Sequence, residues 1–147
     1  MFSKTTEYAL RATIYIAQKG SEERKISITE ISEAIDSPLS FTAKILQELK
    51  KGNKIIHSVS GPNGGFFMTE TAKRLPVRTV LEAMGEYEIL DKCILGLDKC
   101  SETKPCPMHS KYKVIKKQLI ELFETKTIQQ LANAIKNGDM FINNKRK

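Results

Sequence analysis

The chain has 147 residues and a formal net charge of +7, with 24 Lys and Arg against 17 Asp and Glu. That length holds one domain, or one small domain with a helical extension, and the basic balance points to an anionic partner such as nucleic acid, although a membrane surface fits charge alone equally well. No apolar run is long enough to span a bilayer, Glu7 and Arg11 interrupt any signal-peptide core, and the lack of Trp argues against single-strand recognition by base stacking.

Residues from about Ser3 to Gln18 read as a helix with Leu10, Ile14 and Ala17 on its apolar face, stopped by Gly20. A charged link follows, and then a start signal for a second helix. Ser27 and Glu30 form a capping box, with Ile26 and Ile31 placed as a hydrophobic staple. This short helix is predicted to end near Ile35. Asp36-Ser37-Pro38 reads as a turn, and Pro38 suits the first turn of a third helix running to about Lys51. Phe41, Ile45 and Leu49 should face inward, with Leu46 beside them. Ser40, Thr42, Lys44 and Gln47 should point outward, followed by Lys50, Lys51 and Lys54. Two short helices joined by a tight turn, the second polar and basic on its free face, describe a helix-turn-helix. An ordinary solvated amphipathic helix would look similar.

The next segment separates the two readings. Residues 54–60 are strand-like, Gly61-Pro62-Asn63-Gly64-Gly65 is a turn, and residues 66–69 are strand-like again. A β-hairpin directly after a helix-turn-helix is the order of a winged helix. A phosphate cradle is the other use of such glycines, but no Gly-Lys-Ser/Thr and no helix start follow. Gly64 is expected to need positive φ in this turn. Leu75-Pro76 breaks the chain, and Val77 to Met84 reads as a short helix before Gly85.

All three cysteines then fall in one polar loop, at Cys93, Cys100 and Cys106, with His109 close behind. Gly96, Asp98, Ser101, Pro105 and Pro107 make this a segment that cannot pack a core of its own. Cysteines are often ordinary buried hydrophobes, but these are not on an apolar stripe. An odd count without a signal peptide also speaks against a disulfide framework. Three thiols gathered from one loop suit an iron–sulfur cluster or zinc, with the fourth ligand supplied by His109 or a carboxylate elsewhere. Beyond Pro107 a long helix is predicted, with Met108, Tyr112, Ile115, Leu119 and Leu122 in an a/d seam over about two heptads. Such a seam either packs on its own domain or joins two copies. Thr127 to Lys136 reads as a further short helix, and Asn143 to Lys147 as a basic, disordered tail.

With helix-turn-helix, glycine-rich wing, three-cysteine loop and long helix in this order, the chain resembles the IscR/NsrR family of bacterial winged-helix regulators over nearly its full length. Ser60-Gly61-Pro62-Asn63-Gly64-Gly65-Phe66 and the Cys93, Cys100, Cys106 loop carry the resemblance, together with the opening Ser3-Lys4-Thr5-Thr6-Glu7-Tyr8-Ala9-Leu10. The resemblance implies a homodimer crossed through the long helix, and an iron–sulfur cluster on the three cysteines that senses nitric oxide, redox state or iron and cluster supply. In IscR-like members the fourth ligand is a histidine shortly after the third cysteine, a place His109 matches. In NsrR-like members it is a carboxylate on the partner's first helix, which Glu7 approximates. Ser60 stands where IscR carries an arginine able to enter a minor groove, so the resemblance does not extend to a target sequence.

The resulting expectation is a mainly α protein with a β-hairpin wing. A winged helix-turn-helix spans residues 1–75, the cysteine loop and dimerisation helices 76–142, and a basic tail 143–147. Its function is cytoplasmic transcription regulation, as repressor or activator, on double-stranded DNA and with no membrane contact or enzymatic activity. Binding is expected through Ser40, Thr42, Lys44, Gln47, Lys50, Lys51, Ser60, Pro62, Asn63 and Gly64. The cofactor is expected to be a 2Fe–2S or 4Fe–4S cluster on Cys93, Cys100 and Cys106, with Glu7 preferred over His109 because a weaker oxygen ligand leaves iron easier to displace. Zinc in a purely structural site, and a cluster-bearing electron-transfer protein, are the competing readings.

Overall fold

The computed structural model describes residues 1–135 and 140–144. Helix α1 (Lys4–Lys19) starts where the Ser3 hydroxyl accepts from Thr6 N–H at 3.2 Å, and ends where Gly20 N–H reaches Ile16 O at 2.8 Å. Its buried face is Thr6, Ala9, Ala12, Thr13, Ile16 and Ala17, a stripe of small residues that lets other helices approach closely. Leu10 and Ile14, expected on that face, lie half-buried at its edge.

Helix α2 (Ile28–Ala34) is capped by Ser27, whose hydroxyl accepts from Glu30 N–H at 3.1 Å. Among the described residues the return half of the capping box is not made. The Glu30 carboxylate instead accepts from Tyr15 OH at 2.7 Å and pairs with Arg24 at 3.2 Å, tying α2 to α1. Burial first, and then the bond to Glu30, push the Tyr15 phenol up to about 12. Ile26 and Ile31 are both fully buried, as the staple requires.

Helix α3 (Leu39–Lys50) buries Thr42, Ile45, Leu46 and Leu49. That i, i+3, i+4, i+7 stripe replaces the Phe41, Ile45, Leu49 line, which drifts around the helix by some 40° per step at 3.6 residues per turn. Phe41 is consequently 44% exposed, beside the Tyr8 ring at 6.2 Å. Thr42 is fully buried, its hydroxyl 2.9 Å from both Ser37 Oγ and Pro38 O.

Strands β1 (His57–Val59) and β2 (Gly65–Phe67) pair antiparallel, with His57 opposite Phe67 and Val59 opposite Gly65. The first strand is shorter than expected because Ile55 and Ile56 sink into the core. Ile26 forms a separate antiparallel bridge to β2, exchanging two 2.8 Å backbone hydrogen bonds with Phe66. Gly65, at φ +145°, is required here, since a Cβ would lie 2.7 Å from Ile26 O.

After the short helices α4 (Glu70–Lys73) and α5 (Arg78–Ala83) and a turn of 3-10 helix over Tyr87–Asp91 comes the cysteine loop. It leads into α6 (His109–Thr125) and α7 (Ile128–Ile135). Val77 N–H to Lys126 O and Ile128 N–H to Leu75 O clamp the end of α6 to the break after the wing. Helix α7 then packs back along α1, and Ile128 and Ala132 join the core with Ala9, Ile16 and Ile45. The two stretches divided at residue 75 in the sequence therefore share one core. Lys136 and Lys145 to Lys147, expected in the last helix and the tail, lie outside the described residues. The tail's first two residues are anchored, not disordered: Asn143 Nδ2 donates to Ala34 O at 3.0 Å and Asn144 N–H to Asp36 Oδ2 at 2.7 Å.

Candidate functional site

Two surfaces carry chemistry. On the first, α3 presents Ser40, Lys44 and Gln47 to solvent. Ser60, Pro62 and Asn63 are exposed at the wing tip, with Gly64 half-buried behind them. Lys50 reaches across toward the wing, 3.5 Å from Ser58 Oγ, while Lys51 is paired with Glu48 at 2.9 Å. Lys44 has no ion pair among the described residues. Thr42 is removed from this surface by its burial, and the hydroxyl expected to meet a base locks the turn before α3 instead. Gly64 is needed for a reason other than positive φ, which belongs to Gly61 and Gly65. A Cβ on Gly64 would sit 2.0 Å from Val59 O, so the tip closes only over a hydrogen atom.

The second surface is the cysteine loop. Cys93 is buried, and Cys100 and Cys106 are partly so. The Leu95 N–H leads the groups holding the Cys93 thiol below its ordinary range, joined by Leu97 N–H, Cys106 and the Lys116 ammonium, against the opposing effect of burial. Cys100 Sγ lies 3.2 Å from His109 Nδ1, and His109 N–H donates to Cys106 O at 3.0 Å. The first residue of α6 thus touches the second and third cysteines at once. His109 is buried, and its Nε2 has no hydrogen bond of ordinary geometry among the described residues, with Glu102 Oε2 3.4 Å away as an ion-pair neighbour. The bond from Lys113, and then His109, hold the Glu102 carboxyl below its usual range. A cavity of about 560 Å³ opens here, with Asp91, Asp98, Cys100, His109, Lys113 and Lys116 on its walls.

Glu7 is elsewhere, half-buried on α1 and paired with Lys4 at 3.6 Å. Among the described residues, no three His, Cys, Asp or Glu side chains converge on a common metal-bonding point. The donor chemistry nevertheless fits a thiophilic group. One loop supplies three thiols, one of them held toward thiolate, and a buried imidazole places its Nδ1 3.2 Å from one of the sulfurs.

Residues 2–134 match the Rrf2 family, described as iron-dependent transcriptional regulators. The chain belongs to the Rrf2 family. It is 33% identical over 135 residues to an HTH-type transcriptional regulator of Aquifex aeolicus, covering 90% of this chain and 92% of that one. It is also 26% identical over 126 residues to the IscR of Pectobacterium atrosepticum, covering 86% and 75%. Among solved structures, CymR of B. subtilis, the global cysteine regulator, superposes with a TM-score of 0.71 at 16% identity, covering 91% of this chain and 97% of that one. The IscR of T. potens follows at 0.69 and 17%, covering 95% and 91%. The fold is the Rrf2 winged helix, and the protein is a DNA-binding transcription regulator, not an enzyme. No helix among the described residues is long and apolar enough to cross a membrane.

In this Rrf2 regulator, sequence reading missed Lys116. It is buried, donates to Asp91 O at 2.9 Å and acts on the Cys93 thiol. The signal was present, because His109, Lys113 and Lys116 are spaced i, i+4, i+7 and share the helix face that meets the loop. It also missed Glu86, whose carboxylate accepts from the Ser3 and Thr6 hydroxyls and from Ser3 N–H, fixing the start of α1 to the segment that leads into the loop. Nothing in the local pattern announces a contact 83 residues away.

Lys44 supplies a test of the first surface. Lys44→Ala should weaken binding to specific and random duplexes alike and lower the slope of log K against log salt by about 0.9, one phosphate's worth. Titrations over a range of KCl concentrations read both quantities. An unchanged slope removes Lys44 from the interface.

Proposed function

We propose that this Rrf2 regulator is a homodimer whose operator binding is controlled by an iron–sulfur cluster, 2Fe–2S or 4Fe–4S, held by Cys93, Cys100 and Cys106. The signal is nitric oxide, redox state or iron and cluster supply. The observation that carries the reading is the His109 contact, which ties the cysteine loop to the first turn of the long helix. The apolar face of that helix supports a dimer. Ile115 and Leu122 are 52% and 49% exposed, too much apolar surface to leave in water along one seam. Polar groups of α3 would read bases in the major groove, with Lys44 and the wing on the backbone.

A bound cluster would supply an iron centre open to oxidation and to nitric oxide. The chain's own residues do the rest. The Leu95 and Leu97 N–H groups stabilise negative charge on Cys93, and Lys116 balances it. His109 transmits any displacement of the loop to α6, whose exposed seam sets how two copies, and so two recognition helices, are posed.

For the fourth ligand the geometry supports His109 over Glu7. The imidazole already lies against Cys100, whereas Glu7 would have to come from a partner subunit. His109→Ala should shift the visible spectrum of the anaerobic protein and lower its cluster retention about 10- to 100-fold, as for loss of a metal ligand's support. Glu7→Ala should leave the spectrum unchanged. The reverse pattern assigns the ligand to Glu7 of the partner subunit. Colourless protein that keeps zinc through purification replaces the cluster by a structural zinc site.

A further inference from the structure

The first turn of α3 carries a large apolar side chain that the core does not absorb. Thr42 takes the inward place there, because Ser37 Oγ and Pro38 O hold its hydroxyl at 2.9 Å. The neighbouring Phe41 is left 44% exposed on the flank of the helix. Phe41 is i, i+3 to Lys44, so the two side chains are neighbours on the surface of α3, with Ser40 beside them. Helix α1 backs the ring. The Tyr8 ring lies 6.2 Å away, tilted by 56°, and the Arg11 guanidinium sits over Tyr8 at 5.4 Å. Arg11 Nη1 also donates to Ile35 O at 3.1 Å, which joins this stack to the turn of the helix-turn-helix.

Helix-turn-helix proteins bring the N-terminal residues of their second helix to the base edges in the major groove. Phe41 is the third residue of α3. A phenyl ring cannot satisfy the donors and acceptors that most base edges present, and covering them would leave polar groups unpaired. One edge is different. The C5-methyl of thymine is an apolar group displayed in the major groove, and phenylalanine is among the side chains that suit it. A second protein surface is the poorer occupant. The ring is bordered by Ser40 and the Lys44 ammonium, with Arg11 behind Tyr8, and such a polar, cationic surround matches a polyanion better than the core of a protein interface.

We infer that Phe41 reads a thymine through its C5-methyl group in the major groove and so fixes an A·T pair at one position of each half-site. The partner is double-stranded DNA, and this contact selects sequence, whereas a phosphate contact by Lys44 adds affinity at every sequence. The inference rests on α3 being the DNA-binding helix.

The test uses deoxyuridine, which lacks only that methyl group. An operator selected from random duplex by the full chain is resynthesised with each thymine replaced in turn by deoxyuridine. Wild type, Phe41→Ala and Phe41→Leu are then titrated on every version. Wild type should lose affinity about 3- to 10-fold at one thymine of each half-site, as for one buried methyl group. Phe41→Ala, checked for an unchanged melting profile and mass in solution, should bind the intact operator more weakly by a similar factor. It should show no response to deoxyuridine at that position. Phe41→Leu should keep part of the response, because it keeps an apolar contact. A wild type indifferent to every deoxyuridine overturns the inference, as does a Phe41→Ala protein that keeps the wild-type response. A fall in mass for Phe41→Ala assigns the ring to a subunit contact and overturns it too. Lys44→Ala separates the two levels. If it lowers the salt slope while no deoxyuridine weakens binding, the Phe41 contact fails and α3 stands. If both are silent, the α3 surface itself is misassigned.

Discussion

Cys93→Ala, Cys100→Ala and Cys106→Ala should each yield a colourless protein when purified anaerobically, with iron and sulfide at background. A thiolate is not replaceable by a neighbour here, because Cys93, Cys100 and Cys106 are the only sulfurs that cysteine supplies in the chain. The three variants should nevertheless differ in stability. Cys93 is buried, and its removal leaves a small void costing on the order of 1 kcal/mol. Cys100 and Cys106 are half-exposed, and their loss should be nearly neutral to the apo fold. All three variants should remain dimers by light scattering, because Ile115 and Leu122 lie outside the loop. Colour retained in any one of them would remove that cysteine from the site.

The second large effect is expected at the wing. Gly64→Ala should cost on the order of 2–4 kcal/mol and lower DNA affinity tenfold or more, and Gly64→Val should do more harm still. The added Cβ meets Val59 O at 2.0 Å and the Ser60 carbonyl carbon at 2.9 Å, both backbone atoms that cannot rotate away. Gly61→Ala is the control. It sits at φ +105° with open space around its Cβ, so it carries only the backbone strain, on the order of 1–3 kcal/mol. Denaturant titration ranks the two. Equal costs would mean that conformation, not the close approach, makes Gly64 necessary.

The order of elements was legible because each boundary has a local cause. Ser3, Ser27 and Thr69 cap helices with their own hydroxyls, and Gly61 to Gly64 make the turn of the wing. The family resemblance was legible for the same reason, since its motifs are local. What the sequence concealed depends on which neighbour wins a shared side chain. Glu30 could close a capping box or bind Tyr15, and only the packing of α1 on α2 decides for Tyr15. Phe41 and Thr42 are adjacent, and apolarity alone puts the phenyl ring inside. The turn before α3 offers Ser37 Oγ and Pro38 O to a hydroxyl, so Thr42 goes in and Phe41 out. At the cysteine site, spacing brought out the three sulfurs but not that His109, at the start of α6, lies against Cys100 while Glu7 pairs with Lys4. Lys116 shares the spacing of His109 and Lys113, but lysine on a long amphipathic helix ordinarily faces water, so the spacing alone did not single it out.

The central claim is that the state of the cysteine loop sets DNA binding. It is tested most directly by measuring one protein in two states, reconstituted anaerobically with iron and sulfide and then stripped by a chelator, against one operator selected from random duplex. The account predicts operator affinities that differ by tenfold or more between the two states, with dimer mass unchanged, and predicts that His109→Ala collapses that difference. Equal affinity in the loaded and stripped states would contradict it and leave the cysteine loop without a role in regulation.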